Sequence, residues 1–575
     1  MTAPDPTRSR RLAWVDAVPA AGAVALAGLV VRGFVLRLRH PFDLEWMEGG
    51  MLGHAWRLVH GRPLYPEAGP EWIPYVYPPG YAAVLAALSP ITGLDYPAGR
   101  LVSVLGTLLA AAAVTWLFAR RGHALVGAVV AGCFLGCWRA SGAFYDLVRP
   151  DGLAIGLLAA TVAVAFERRR WAPVVAGLLL CVAFVVKHHS AAFGVPLVAV
   201  LWMREGRDAA VRFALASAVP AGLFTVVATA VTGGRFLEYL LVVPATHPVI
   251  AARVVPGTPG ELGAWLLPAL VLATGWLLVE LVRLRPEVPA PALLALPAVG
   301  AVALGGVAVA NPEVPGVAMP AVPVLGLAAA CIGAAIGAGL AHTFALAVDV
   351  ASGVRVVDGR RARWWAAWWL GGTALVVATW MRGHNGGFLN VLIPAHLAIC
   401  VGMGIGAVGL RERWPNAVVF VGTAAVMALQ VGWIARQLDV DEVLPTPEDV
   451  AGGEAVVERL KACPDGPILS PHAAWLPVQA GREPSPHLIA IWDIRYEHGP
   501  FFDGMAQLAQ AAKDHRWSCV VKGGRQALGF QIEQQYEVIE TFRIPPKAMM
   551  PKTGWRVRPT DLLAPRSPDR PARAR

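Results

Sequence analysis

Charge is scarce in this sequence. Asp, Glu, Lys and Arg make up 15% of its 575 residues, against 56% hydrophobic residues and a mean hydropathy of +0.54. Soluble domains carry roughly 25% charged residues, so a soluble protein is excluded as the main architecture. Paired cysteines are also missing. No Cys-x-x-Cys occurs, which argues against a zinc ribbon, and no metal ligand set is expected, although a divalent ion as cofactor stays open. The seven cysteines divide by surroundings: Cys133, Cys137, Cys181, Cys331 and Cys400 lie in apolar runs as small core residues, while Cys463 and Cys519 stand in polar sequence. There is no internal repeat of the kind that two-halved transporters carry. No Rossmann-like segment is present and no Asp-x-Asp lies beside the acids of the first loop, which disfavours a soluble nucleotide-linked substrate.

What is present is a series of apolar runs of about 17 to 25 residues, the length that crosses a hydrocarbon core of roughly 30 Å. The sequence therefore predicts an α-helical polytopic membrane protein. About thirteen spans are expected, at about 13–36, 97–119, 124–143, 152–166, 172–186, 190–203, 212–231, 262–282, 291–310, 317–347, 364–380, 391–410 and 416–435. The first run lacks a small-residue cleavage site and reads as a retained helix. With the N-terminus in the cytoplasm, the basic loops "RRGH", "ERRRW", "REGRDAAVR", "RLRPE", "DGRRAR" and "RERW" all fall inside. The net charge of +10 then reports topology, and no nucleic-acid partner is implied. The remaining ionisable clusters, "DLEWMEGG", "VRPD", "KHHS" and "RGHNGG", all fall on the outer face. The segment 75–90 is apolar but short and opens on a double proline, so it reads as a re-entrant or interfacial helix.

Residues 1–436 form the expected membrane domain, with a first external loop at 37–96, and residues 437–575 a small extracytoplasmic α/β domain. In the latter, "GPILS", "HLIAIW", "WSCVVKG" and "YEVIETF" read as strands, "GMAQLAQAAKDH" as a helix, and "PRSPDRPARAR" as a disordered basic tail. An oxidising compartment favours a Cys463–Cys519 disulfide, with free buried thiols as the other reading.

The first loop holds three carboxylates within six positions, Asp43, Glu45 and Glu48, close to a membrane span. Acid placed there is rarely idle. If 45–60 is helical, Glu45 and Glu48 share a face and Asp43 is the N-cap. Further along come Gly61, Tyr65, the aromatic Tyr75, and Tyr77-Pro78-Pro79; Arg149 and Asp151 follow the third span, and Lys187, His188 and His189 follow the fifth. This order resembles the GT-C superfamily of integral-membrane glycosyltransferases, most of all the bacterial branch related to protein O-mannosyltransferases and lipid A aminoarabinose transferases.

The resemblance implies a GT-C-type fold and an enzyme, a hexosyl- or pentosyltransferase. Such an enzyme moves a sugar from a polyprenyl-phosphate donor to an acceptor hydroxyl on a glycan, lipid or protein. It implies a catalytic carboxylate in the first external loop, which Glu48 matches by its spacing to Gly61 and Tyr65, with Asp43 as rival, and a further acid matched by Asp151. Glu45, Tyr77, Arg149, Lys187, His188, His189, Arg382, His384 and Asn385 are the candidates for binding substrate or the lipid phosphate. The expected location is a bacterial inner membrane, the Ala-, Val-, Gly- and Arg-rich composition suiting a GC-rich genome. A transporter or flippase of a lipid-linked substrate is the alternative reading. Each candidate also has a plainer role: Arg149 and Asp151 as a helix-end ion pair, Lys187 as a snorkelling cation, the tyrosines as an aromatic belt.

Overall fold

The computed structural model describes residues 13–285, 288–315, 317–351, 359–524 and 528–566. Most of the expected tail, the N-terminal residues 1–12 and part of the basic loop before 359 lie outside the described residues. Among those described, eight helices are long and apolar enough to cross a membrane: Trp14–Leu38, Tyr96–Ala119, Arg207–Val231, Arg253–Leu284, Ala290–Ala310, Val322–Ala347, Leu389–Arg413 and Ala417–Ala435. The other expected spans fall on shorter or more polar helices, Ala124–Gly136, Pro150–Ala165, Ala172–Val186, Gly194–Glu205 and Gly359–Gly383. The chain is thus a polytopic helical membrane protein with a small sheet.

The shortest helices have local causes. Ala124–Gly136 does not run on to residue 143, because the chain turns at Trp138 and Gly142 takes a left-handed φ of 71°. The segment from there to Arg149 is almost wholly buried, so its carbonyls need partners. Arg37, Thr107 and Ser103 supply them, donating to Ala143, Tyr145 and Arg149. Proline then opens the next helix at Pro150, where a missing N–H costs nothing. This helix lies close on Tyr96–Ala119: a Cβ at Gly106 would come within 2.5 Å of the Gly152 carbonyl. The segment 75–90 yields the helix Gly80–Thr92, at 13 residues about 20 Å long and too short to cross.

The C-terminal region forms four strands, β1 (Ile468–Leu469), β2 (Cys519–Gly523), β3 (Tyr536–Thr541) and β4 (Pro559–Pro565), ordered β1-β2-β4-β3. β1 and β2 are parallel; β4 is antiparallel to both β2 and β3. The expected helix is Asp503–Lys513. One expectation fails: "HLIAIW" is not a strand but the helix Leu488–Asp493, capped by the His487 side chain, which accepts the Ile489 N–H. The helix Pro447–Lys461, with its Thr446/Asp449 capping box, and strand β4 add to the expected elements. Cys463 and Cys519 form a disulfide with Cα atoms 6.2 Å apart.

This domain sits on the first loop. Buried residues of both, among them Trp46, Tyr75, Trp475 and Ile491, make one hydrophobic cluster.

Candidate active site

The first loop is wired to itself before it meets anything else. The helix Glu48–Val59 carries His54, whose Nδ1 donates to the Gly50 carbonyl and whose Nε2 accepts the Tyr75 N–H. Gly61, with φ of 63°, closes the helix and turns the chain back. The Tyr65 hydroxyl donates to the Tyr77 carbonyl at 2.7 Å, and the Tyr75 hydroxyl to the Met47 carbonyl at 3.1 Å. The aromatic segment is therefore clamped over the start of the helix, beside the acids.

The three acids have three different surroundings. Glu48 is fully buried and saturated. Its Oε1 accepts Arg100 Nε at 3.0 Å and the Val148 N–H at 2.8 Å; its Oε2 accepts Arg100 Nη2 at 2.8 Å and the N–H groups of Leu44 and Glu45. Burial alone would push this carboxyl up, but Arg100 and the backbone donors outweigh it and hold the group below its ordinary value. Both oxygens already carry donors in this structure. In this geometry Glu48, the acid favoured by its spacing, anchors the loop. Arg100 completes the anchor by donating to the carbonyls of Arg37, His40 and Phe42, the last at 2.7 Å.

Glu45 is 1% exposed and is not part of the helix, which starts at Glu48 with Met47 as its N-cap. Its Oε2 accepts the Met47 N–H at 3.3 Å and lies 3.6 Å from Arg149 Nη1. Burial pushes it up to about 8, although Arg149 pulls the other way. Asp43 is half-buried and is not the N-cap; its Oδ1 accepts the Gly49 N–H at 2.8 Å. Burial raises it well above its usual range, and the Glu48 charge adds to the rise.

Arg149 links the acids to a second group. Its Nη2 donates to the Tyr77 hydroxyl at 2.8 Å, and its Nε is 4.0 Å from Asp151 Oδ2. Asp151 Oδ1 accepts Lys187 Nζ at 2.5 Å and Asn390 Nδ2 at 2.9 Å. Lys187 is 4% exposed, so it does not snorkel into water. Asp151, Lys187, His189 and Asn390 line a small cavity whose apolar wall, Ile155, Leu158 and Pro394, also lines a larger cavity of about 240 Å³. The larger one runs among apolar side chains to the opposite helix ends, at Arg121 and Glu412.

The remaining candidates do not join this group. His188 is half-buried and lines neither cavity. Arg382 is held by a bidentate pair with Glu261 at 2.7 and 2.8 Å and by the Gly387 carbonyl. His384 accepts the Gly386 N–H on Nδ1 and bonds the Pro244 carbonyl through Nε2. Asn385 reaches the Tyr496 hydroxyl at 3.4 Å.

The C-terminal domain closes on the acids. The Leu44 carbonyl accepts the N–H groups of Lys552 and Thr553, and Glu45 forms a parallel bridge with Thr553. His487 Nε2 bonds the Trp46 carbonyl at 2.8 Å.

Sequence reasoning missed Arg100, Asn390 and the 552–554 segment. Arg100 had a signal, a lone guanidinium inside an expected span. Asn390 borders its span, and the contact at 552–554 has no sequence signature.

In overall path the chain is similar to the crystal structure of ArnT from Cupriavidus metallidurans bound to undecaprenyl phosphate. That match covers 94% of this chain and 97% of that one, at 15% identity and a TM-score of 0.45. The same protein in the apo state matches over the same shares of both chains at 15% identity and a TM-score of 0.43. No family model matches the sequence, and no curated protein does.

Proposed function

We propose that this protein is an integral-membrane glycosyltransferase of the GT-C type, acting on the extracytoplasmic side with a polyprenyl-phosphate sugar as donor. The observation that carries the reading is one junction: a buried acid, Glu45, 3.6 Å from Arg149, with Asp151 and Lys187 beyond it lining a small cavity that shares its apolar wall with the larger one. An isoprenoid donor has the matching parts, a long apolar tail and an anionic phosphate. ArnT, whose crystal structure holds undecaprenyl phosphate, is a protein of similar overall path.

In this reading the donor tail lies in the cavity and the phosphate meets Arg149 and Lys187. Asp151 holds both cations in place and is displaced from Lys187 as the phosphate binds. As the sugar leaves, charge grows on the phosphate oxygen, and the preset guanidinium and ammonium stabilise it. Glu45 is the general base that takes the acceptor proton. A buried carboxyl near 8 suits that task, since a base is most effective with its pKa near the working pH. Asp43 shapes the loop through Gly49, and Glu48 with Arg100 fixes where Glu45 stands.

The test is transfer by membranes holding the full chain, given a panel of radiolabelled polyprenyl-phosphate pentoses and hexoses. One labelled product, lost in Glu45→Gln, is expected. Movement of an unaltered donor across the bilayer with no product in any case would replace this reading with transport.

A further inference from the structure

We propose that Trp492, Asp493 and Trp555 of the C-terminal domain form a saccharide-binding platform, beside the acid cluster, that seats the acceptor. This rests on the transferase reading above and adds to it the chemical class of the acceptor.

The platform is continuous with the first loop. Trp46, the neighbour of Glu45, is buried with its ring 6.1 Å from that of Trp492 and 5.0 Å from that of Trp555. Trp492 and Trp555 lie 5.1 Å apart, and each keeps part of its surface open. Buried Trp46 thus backs two partly exposed indoles. Arg495 lies over Trp492 at 5.6 Å and over Tyr496 at 5.7 Å, forming one rim.

Asp493 stands directly after Trp492. Among the described residues no hydrogen bond reaches its carboxylate; the nearest partner is His247 Nε2, at 3.6 Å from Oδ1. Its side chain is 13% exposed. An enclosed carboxylate with open lone pairs loses free energy until a donor fills them. Burial also pushes it up to about 8, so near neutrality it can donate as well as accept.

These features select one ligand class. A sugar ring has a flat C–H face that stacks on indole and a rim of hydroxyls that both accept and donate. An acyl chain would leave Asp493 without a hydrogen-bond partner.

The test uses full-length protein in detergent micelles and saturation-transfer-difference NMR with three free probes: maltotriose, chitobiose and arabinobiose. Undecaprenyl-phosphate binding is followed by thermal shift on the same samples. At least one probe should receive saturation on its C–H protons. The signal should fall about fivefold or more in Trp555→Ala and in Asp493→Asn, the weight of one ring contact or one hydrogen bond. The undecaprenyl-phosphate shift should stay unchanged. Asp493→Asn is isosteric and decides the matter if Trp555→Ala does not fold. No saturation of any probe, or signals retained in the folded variants, would overturn the platform. Loss of undecaprenyl-phosphate binding with sugar signals behaving as stated would sink the transferase reading and leave the platform standing.

Discussion

Replacing Glu48 by Gln should damage the fold of the first loop before it touches any reaction. The carboxylate accepts five donors, two on Oε1 and three on Oε2. A carboxamide has one oxygen and one NH2, so either orientation aims N–H groups at N–H groups and forfeits at least two bonds. Arg100 would also keep its charge without its directly bonded counter-charge, at 0% exposure. Removing one partner from a buried pair costs about 3–5 kcal/mol. Against a typical total of roughly 5–15 kcal/mol, that is a large share. Thermal unfolding of purified protein in detergent reads the loss, and transfer per folded molecule reads what survives. Substituting both partners, Glu48→Leu with Arg100→Leu, should not restore stability, because Arg100 also serves the carbonyls of Arg37, His40 and Phe42. If Glu48→Gln melts like the parent protein and transfers nothing, Glu48 is the base and the anchor argument is wrong.

Glu45→Gln should do the reverse, folding normally and losing transfer. Because Glu45 must be deprotonated to act and sits at about 8, kcat/KM for the acceptor should rise roughly tenfold per pH unit up to that value and then level; a flat profile from about 6 to 9 would refute the assignment. Lys187→Ala should raise the donor KM well above that of Lys187→Arg, and equal values at limiting donor would remove the phosphate role. Gly554→Ala should slow transfer more than it lowers stability. Its Cβ would stand 2.7 Å from Glu45 Oε1 at a left-handed φ of 73°, and a small displacement of a catalytic group can cost up to about a hundredfold in rate. Reducing the Cys463–Cys519 bond, which closes a loop of 56 residues, should destabilise the protein by up to roughly 4 kcal/mol in melts with and without reductant. Two alkylated cysteines in that domain of the unreduced protein would show the bond absent.

The helical layout was legible because hydrocarbon thickness imposes run length and composition directly. Loop 1 was legible as acidic and important, but not in its division of labour. Glu48 and Glu45 differ in what surrounds them, and Arg100, Val148 and Thr553 reach them from 52, 100 and about five hundred residues away. Spacing along a chain cannot tell an acid with five donors from one with an open oxygen. "HLIAIW" misled for a related reason. A short apolar run suits a buried helix as well as a strand, and the His487 cap that decides it shows only in three dimensions.

The strand contact at Thr553 also sets an order in time. A chain made from its N-terminus presents Glu45 about five hundred residues before Thr553. Until then Leu44 lacks its two N–H partners and Trp46 lacks its aromatic neighbours. An unfinished chain therefore carries the acid without the frame that aims it. Synthesis as far as Thr553 is the step that completes the frame around Glu45.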